Sequence, residues 1–287
     1  MGAARDMIPR RLKRTYWRLR AILRHPKSEL YLPTRKAMTK VLACLHPGLW
    51  NQLRLRRFGI VAIPHAALRY RVHGNDDLYG FLNTGRRCSE DVLSAVEKSG
   101  RRFASFRSVL DFGCGCGRTL VWFADHPRSL ELHGTDVDTE GISWCQRHYT
   151  FGSFLVNDAL PPLTYPDKKF DLIYAISVFT HINEEQQFCW LTEFKRLLAD
   201  DGILLITLHG EHVWSELPPL LNAKLKQSGI LFVSDGIWKG IFPDWYQTTY
   251  HTKEYVRDKY SRYFTVVKYI PRGMNRHQDV VVLQNQG

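Results

Sequence analysis

The central part of the chain alternates short apolar runs with segments in which apolar residues recur every three or four positions. Short apolar runs bounded by turn-forming residues predict strands, and the periodic segments predict helices. The predicted strands are 108–112, 130–136, 152–156, 170–176 and 203–208, and the predicted helices between them are 119–123, 140–147 and 184–198. Strands and helices that alternate in this way predict a parallel sheet with helices on both faces.

The pattern changes after residue 210. The segment "SELPPLLNAKLKQSG" predicts a helix with a proline break, and the aromatic, glycine-rich "GIWKGIFPDWYQTTYHT" predicts an ordered loop or lid. A helix follows in "TKEYVRDKYSRY", and "FTVVKYI" with "DVVVLQ" predicts a terminal antiparallel strand pair. We therefore expect a core at 106–209, a substrate or lid insertion at 210–262 and a strand pair at 263–287.

A further helix is predicted ahead of the core, in "CSEDVLSAVEKSG". Ser89 is its expected N-cap, because a serine followed by acidic residues is typical of a first helical turn. Gly100 follows the last predicted turn, as glycine often does at the end of a helix.

Positive charge is concentrated at the start of the chain. Residues 1–73 contain 17 Lys and Arg against two acids, whereas residues 74–287 contain 23 against 26. We therefore expect a basic, partly helical N-terminal arm at 1–73, followed by a slightly acidic domain at 74–287.

Within this arm, residues 8–25 predict a basic amphipathic helix. Its apolar face consists of Ile8, Leu12, Tyr16, Leu19 and Leu23. Such a helix suits an anionic membrane surface, another anionic partner or a nucleic acid. The same pattern fits a helix docked on its own domain with a solvated charged face, and an organellar transit peptide shares the composition.

The cysteine and hydropathy patterns bear on the compartment. The six cysteines lack the regular spacing of a disulfide scaffold, which favours a reducing compartment. No stretch approaches the roughly 18 consecutive apolar residues that a membrane-spanning helix needs. We expect a cytoplasmic protein, peripheral at the inner membrane face if the arm binds lipid.

The first core strand runs into a glycine-rich loop, in "VLDFGCGCGRTL" at 109–120. Gly113, Gly115 and Gly117 alternate there, and Arg118 stands where a dinucleotide-binding loop has its third glycine. No Gly-Lys-Ser/Thr follows, so a P-loop is excluded as well. Asp111 precedes the glycines, and its negative charge disfavours a pyrophosphate but suits a cationic amino group.

Two cysteines within this loop raise the alternative of a metal site. Cys114 and Cys116 have no second Cys or His pair at the usual ligand spacing, so we expect no metal here. A tight strand-to-helix turn without any ligand is the other structural alternative for the glycines.

Two more acids follow the next two predicted strands. Asp136 ends the second strand, 19 residues beyond Gly117, where an acid suits the two hydroxyls of a ribose. Asp158 follows the third strand in "NDALPP", where it is placed to accept from an adenine amine. Because the carboxyl ends of parallel strands share one edge of a sheet, we expect these acids and Asp111 to lie together.

Four segments in this order resemble the class I S-adenosylmethionine-dependent methyltransferases: "LDFGCGCGR", "GTDVD", "NDALP" and "FDLIYAISVFTHI". The resemblance extends over about residues 107–283. It implies a doubly wound, mostly parallel seven-stranded α/β sheet of the Rossmann-like type with a terminal antiparallel strand. It also implies S-adenosylmethionine as cofactor.

The same resemblance implies roles for individual residues. The glycine loop would contact the methionine portion of the cofactor, and Asp136 with Val137 would bind the ribose. Asp158 with Ala159 would frame the adenine. Ser177, just past the fourth strand, would line the pocket beside the cofactor.

The acceptor side is predicted from the loops that follow. His181 in "SVFTHI" is the candidate general base, because a hydroxyl acceptor must lose a proton during methyl transfer. The alternative is a histidine that bonds to nearby backbone and shapes the loop. The candidate substrate residues are Trp245, Tyr246, Tyr250 and His251, since aromatic rings stack on sugars or bases.

The C-terminal tail more loosely resembles a bacterial branch associated with assembly of cell-envelope glycans. We therefore expect a methyltransferase acting on a hydroxyl of a sugar or glycolipid-type acceptor. An RNA methyltransferase that uses the basic arm is an alternative, although the acidic domain makes nucleic acid a less favoured partner. A non-catalytic binding protein with the same fold is another.

Overall fold

The computed structural model describes residues 62–124, 130–234, 243 and 245–286. The predicted amphipathic helix at 8–25 lies outside the described residues, so its membrane or nucleic-acid contacts stay predictions. In the described part of the chain, no helix is long and apolar enough to cross a membrane.

Two helices precede the sheet: α1 at Ala66–His73 and α2 at Leu78–Lys98. Both lie in the compact unit that extends from Pro64 to Gly287. The basic sequence of α1 grouped this helix with the predicted N-terminal arm. In the structure, α1 belongs to the same compact unit as the sheet.

The N-cap predicted at Ser89 is wrong. The N-cap of α2 lies twelve residues earlier, at Asp77, whose side chain accepts from the amides of Tyr79 and Gly80. Ser89 is buried inside the helix, and its hydroxyl donates to the carbonyl of Arg86. The extra turns are stabilised by burial of the apolar face of α2 against the domain.

The five parallel strands and their helices follow the predicted order. The strands are β1 at Ser108–Phe112, β2 at Glu131–Asp136, β3 at Gly152–Val156, β4 at Phe170–Ala175 and β5 at Leu198–Leu208. The helices are α3 at Thr139–His148 and α4 at Glu184–Leu197, and a 3-10 helix occupies Leu120–Phe123. The predicted alternation of strands and helices is confirmed.

The C-terminal elements complete the fold. They are α5 at Glu211–Trp214, α6 at Pro219–Ser228, β6 at Ile230–Val233, β7 at Thr248–His251, α7 at Lys253–Tyr260, β8 at Thr265–Met274 and β9 at Gln278–Gln284. Strands β6 and β7 form a separate antiparallel pair. The predicted terminal strand pair corresponds to β8 and β9.

The main sheet has seven strands in the order β3-β2-β1-β4-β5-β9-β8. The four pairings from β3 to β5 are parallel, and β9 runs antiparallel to both of its neighbours. This is the doubly wound, mostly parallel arrangement that the sequence predicts. Because the strand order reverses between β1 and β4, a ligand crevice is expected at the carboxyl ends of these two strands.

The core behind this crevice is apolar and aromatic. All five residues of β1 are buried. Phe112 of β1 packs against Trp190 and Phe194 of α4, with ring centroids 4.4 and 4.9 Å apart. A capping box between Asn183 and Gln186 begins α4 and fixes the chain that leads to it from β4.

Candidate functional site

A cavity of about 510 Å³ lies at the carboxyl ends of the parallel strands. The predicted site residues that line it are Asp111, Gly113, Gly115, Asp136, Val137, Asp158, Ala159, Ser177, Trp245 and Tyr246. The structure therefore brings together acids from the carboxyl ends of three successive strands, the glycine loop and two of the predicted aromatic residues.

The glycine loop is a backbone surface with neighbours packed closely against it. Gly113 has φ +77° and Gly115 has φ +56°, a region that side chains strongly disfavour. A Cβ atom at Gly113 would lie 2.3 Å from Cγ2 of Val178, and one at Gly115 would lie 2.6 Å from Cγ2 of Val72. Gly117 lies behind the loop against Tyr149 and is not among the residues that line the cavity.

The carboxylate of Asp136 holds this loop in place. Its Oδ2 accepts from the amide of Gly115 at 2.6 Å, and its Oδ1 accepts from the amide of Asp138 at 2.8 Å. Burial raises the pKa of Asp136, while the backbone amides of Asp138 and Gly115 oppose that rise. Each carboxylate oxygen has a second lone pair, so the group retains the capacity to accept from a ligand hydroxyl.

Asp111 is the most buried acid of the cavity. Its residue is only 2% exposed, and burial raises its pKa to about 8. The nearby hydroxyl of Tyr174 and the positive charge of Arg118 act in the opposite direction. Asp111 is therefore largely protonated at neutral pH until a cation lies beside it.

Helix α1, which precedes the sheet in the sequence, contributes part of the cavity wall. The Arg71 guanidinium donates to Asp138 at 2.8 and 3.2 Å and to Glu140 at 2.8 Å. Arg71 and Val72 both line the cavity. The sequence analysis did not predict Arg71 and Val72 as site residues, because the charge distribution grouped them with the basic arm.

The loop after β4 forms the opposite wall. Ser177 has φ +60°, and its amide donates to the hydroxyl of Thr207 at 2.7 Å. Its hydroxyl contacts the side-chain amide of Gln278 at 2.8–3.0 Å. A left-handed conformation in a residue other than glycine is strained, so β5 and β9 hold this loop by specific contacts.

His181 is not among the residues that line the cavity, but its amide donates to the carbonyl of Val178, which does, at 2.9 Å. Its ring stacks on that of Tyr246, which lines the cavity, with centroids 4.1 Å apart and an interplanar angle of 14°. Nδ1 lies 2.8 Å from the carbonyl oxygen of Gln247, which can only accept, so Nδ1 carries the proton. Burial lowers the pKa of His181 to about 4, and the ring is neutral at pH 7.

The structure does not bring every predicted substrate residue to the cavity. His251 is wholly buried and bonds to the side chain of Gln187 at 3.0 Å, and burial lowers its pKa to about 3. The ring of Tyr250 lies against His209, with centroids 5.5 Å apart. Neither His251 nor Tyr250 is among the residues that line the cavity.

Cys114 and Cys116 are both buried as free thiols. Among the residues that the structure describes, no group of three or more His, Cys, Asp or Glu side chains is placed to hold a metal ion.

Comparison with known proteins identifies the domain. Residues 109–202 match the family described as "Methyltransferase domain". The chain contains a class I methyltransferase domain. The match confirms that residues 109–202 belong to the methyltransferase family that the sequence predicts.

The relatives that the chain matches are similar over part of their length. It is 30% identical to ajmaline N-methyltransferase of Rauvolfia serpentina, over 39% of this chain and 38% of the relative. It is 31% identical to fatty-acid O-methyltransferase of Mycolicibacterium smegmatis, over 35% of this chain and 36% of the relative. The chain thus covers well under half the length of these two proteins.

A solved structure supports the fold. The protein is similar to Burkholderia thailandensis 1,6-didemethyltoxoflavin-N1-methyltransferase, with a TM-score of 0.51 and 19% identity. The similarity covers 79% of this chain and 92% of that one. The methyltransferase domain therefore has the expected Rossmann-like fold.

The residues of the cavity fit the cofactor of this family. The glycine loop presents backbone without side chains, and the carboxylates of Asp111 and Asp136 suit the amine and hydroxyl donors of an amino-acid-bearing nucleoside. Val137 lines the cavity with 39% of its surface exposed, which offers an apolar face to a ring.

We predict that Gly115→Ala destabilises the protein more than Gly100→Ala. Both glycines have positive φ, so both variants carry a conformational cost of about 1–2 kcal/mol. Only Gly115 has an atom within 4 Å of its Cβ position, namely Val72, whereas Gly100 has none. Urea denaturation should show this difference, and Val72→Ala should restore part of the stability of Gly115→Ala. Equal losses in the two variants would contradict the close approach of α1 to the loop.

Proposed function

We propose that the protein transfers a methyl group from S-adenosylmethionine to a hydroxyl of a sugar or glycolipid-type acceptor. The observation that carries this proposal is that the glycine loop and the acids of three successive strands line the same cavity. Bound S-adenosylmethionine would supply a methyl group on a sulfonium, and attack of the acceptor oxygen on that methyl group would break the carbon–sulfur bond and release S-adenosylhomocysteine. The protein's own residues must bind the cofactor and the acceptor, align the acceptor oxygen with the methyl group, and accept the proton that the hydroxyl loses.

The cofactor contacts follow from the chemistry of each wall. We assign the ribose hydroxyls to Asp136, whose oxygens are fixed by two backbone amides, with Val137 beside them. Asp158 and Ala159 at the exposed rim are assigned to the adenine. The carbonyl of Ala159 is held by the indole N–H of Trp190 at 3.2 Å, which fixes the backbone at this point.

The remaining walls are assigned to the methionine end of the cofactor. Gly113 and Gly115 leave room for it, Gly117 supports the loop from behind, and Ser177 closes the opposite side. The buried carboxyl of Asp111 is assigned to the ammonium group. An ammonium group beside Asp111 would favour its ionised form.

The preference for a hydroxyl acceptor rests on His181. With its proton on Nδ1, the neutral ring carries its lone pair on Nε2, the form needed to accept a proton. The matched relatives include an N-methyltransferase and an O-methyltransferase by name, so they do not choose between acceptor atoms.

The acceptor surface is assigned to Trp245 and Tyr246. Both line the cavity, and their rings lie 6.1 Å apart at an interplanar angle of 65°. Faces of aromatic rings pack well against the apolar faces of sugars, while their edges exclude water. The stacking of Tyr246 on His181 supports the assignment of the acceptor surface and the base to neighbouring residues.

We predict that Asp136→Ala lowers the affinity for S-adenosylmethionine and S-adenosylhomocysteine at least about tenfold, the loss expected for hydrogen bonds to a charged group. Isothermal titration calorimetry measures both affinities. Asp200→Ala is the matched control, because Asp200 is an exposed acid paired with Lys168 and is not part of the cavity. Wild-type protein that binds neither ligand would overturn the proposed function.

We predict that cofactor binding releases a proton from Asp111. Free Asp111, with its pKa raised to about 8, is protonated at neutral pH, whereas an ammonium group favours the carboxylate. The free protein thus binds more protons than the complex, so affinity should rise with pH, by up to about tenfold per unit, and level off above about pH 8. Titrations in buffers of different ionisation enthalpy test this, and Asp111→Asn should flatten the slope. If the affinity of Asp111→Asn depended on pH as steeply as that of the wild-type protein, Asp111 would not be the group that releases the proton.

We predict that His181→Ala lowers turnover about a hundredfold while the affinity for the cofactor is retained. Turnover is measured by transfer of a labelled methyl group to acceptors from an extract of the source cells. Tyr246→Phe provides a control that preserves the stacked ring. A small effect of His181→Ala on turnover would end its assignment as the base.

A further inference from the structure

The loop between β4 and α4, which carries His181, is held by the segment at 247–249. The amide of Gln247 donates to the carbonyl of His181 at 3.0 Å, and its own carbonyl oxygen lies 2.8 Å from Nδ1 of the His181 ring. The amide of Thr249 donates to the carbonyl of Thr180 at 2.8 Å, and its hydroxyl donates to that of Ile182 at 2.8 Å. The backbone around the imidazole is therefore restrained by hydrogen bonds.

A side chain of α4 holds the same loop. Gln187 lies near the start of this helix and is wholly buried. Its Nε2 donates to the carbonyl of Phe179 at 3.1 Å and to that of Ile182 at 2.9 Å. These carbonyls belong to the residues that flank Thr180 and His181 in the chain. Both N–H groups of the amide are thus used to hold the segment that carries the proposed base.

The oxygen of the same amide bonds to two side chains of the predicted lid insertion at 210–262. Oε1 accepts from Nε2 of His251 at 3.0 Å and from the hydroxyl of Tyr260 at 2.6 Å. The two N–H donors and the two lone pairs of the amide are then all used. A rotated amide would leave buried polar groups unpaired, so this network allows Gln187 a single orientation.

The two sets of contacts act on one property of His181, the direction of its ring. The neutral imidazole keeps its proton on Nδ1, and its lone pair on Nε2, because Nδ1 bonds to the carbonyl of Gln247. That hydrogen bond forms only while the loop and the Gln247 carbonyl keep their relative positions. Displacement of a reacting group by about 1 Å can lower a rate about a hundredfold. A residue that prevents such a displacement contributes to turnover without touching the acceptor.

We propose that Gln187 is a positioning residue, which fixes the direction of the His181 ring by joining the loop after β4 to His251 and Tyr260. This inference rests on the proposed function, since it concerns the base that is assigned there. It also gives His251 a role. The sequence analysis predicted this histidine as a substrate residue, whereas its contact with Gln187 makes it a support for the base.

The test measures the tautomer of His181 directly, by heteronuclear NMR of the full chain with isotope-labelled histidine. The signals of His181 are identified by their loss in His181→Ala. In the wild-type protein they should show the proton on Nδ1 only, since the ring is buried and Nδ1 bonds to a carbonyl. Gln187→Met removes the amide with little change in size, and His181 should then show a mixture of the two tautomers.

The same variant should lower turnover at least about tenfold and leave the affinity for S-adenosylhomocysteine unchanged. Turnover is measured by transfer of a labelled methyl group to acceptors from an extract of the source cells, and affinity by calorimetry. If Gln187→Met does not fold, Gln187→Glu gives the same comparison in a milder form. It keeps the oxygen that accepts from His251 and Tyr260 but loses the amide donors, so the His181 tautomer should change in the same direction.

Asn285→Leu is the matched control. The buried amide of Asn285 also donates to backbone carbonyls, among them those of Leu198 and Ala199 at 3.1 and 3.3 Å, beyond the far end of α4. Loss of this amide should lower the stability measured by urea denaturation but leave the His181 tautomer and turnover unchanged.

A His181 tautomer that is the same in Gln187→Met and in the wild-type protein would overturn the assignment of Gln187. An equal change in Asn285→Leu would also overturn it, because the effect would then follow from lower stability alone. The tautomer is measured without cofactor or acceptor. A wild-type protein that binds neither S-adenosylmethionine nor S-adenosylhomocysteine would instead overturn the proposed function.

Discussion

The hydrogen bond between the Gly115 amide and the Asp136 carboxylate joins the first two strand ends, and the remaining walls of the cavity are arranged around it. The carbonyl of Thr135 supports the same loop by accepting from the amides of Gly113 and Cys114 at 2.8 and 3.0 Å. A buried carboxylate needs such donors, because burial of a charge without partners costs several kcal/mol. The loop therefore has its donors committed in one conformation, and only glycine allows that conformation together with close packing.

From this bond, contacts extend outward to the helices that cover the site. Asp136 accepts from the amide of Asp138, and Asp138 is both the N-cap of α3 and the partner of Arg71 on α1. One continuous chain of hydrogen bonds thus links the loop after β1, the end of β2 and two helices. Because Val72 of the same helix α1 packs against Gly115, the position of α1 is set by the loop that it covers.

The sequence predicts the strands and the acids well because both depend on local pattern. Buried parallel strands are short apolar runs, and an acid at the end of such a run must lie at the carboxyl edge of the sheet. Helix α1 was not predicted, because "AALRYRVH" has no regular apolar face and is recognised only by what it covers. The start of α2 was misplaced for a related reason, since its first turns are stabilised by tertiary packing and by a cap at Asp77 that lies in a polar turn.

Burial, which the sequence does not display, decides what the predicted residues can do. His181 and His251 are both histidines that were predicted as site residues. His251 bonds to Gln187 in the core, whereas His181 stacks on Tyr246, which lines the cavity. Asp111 and Asp158 both follow the pattern of an acid at a strand end, but Asp158 is exposed, whereas Asp111 is buried and its pKa is raised to about 8. At neutral pH the raised pKa favours the neutral form of this buried acid, and a cation bound beside Asp111 would shift it toward the carboxylate.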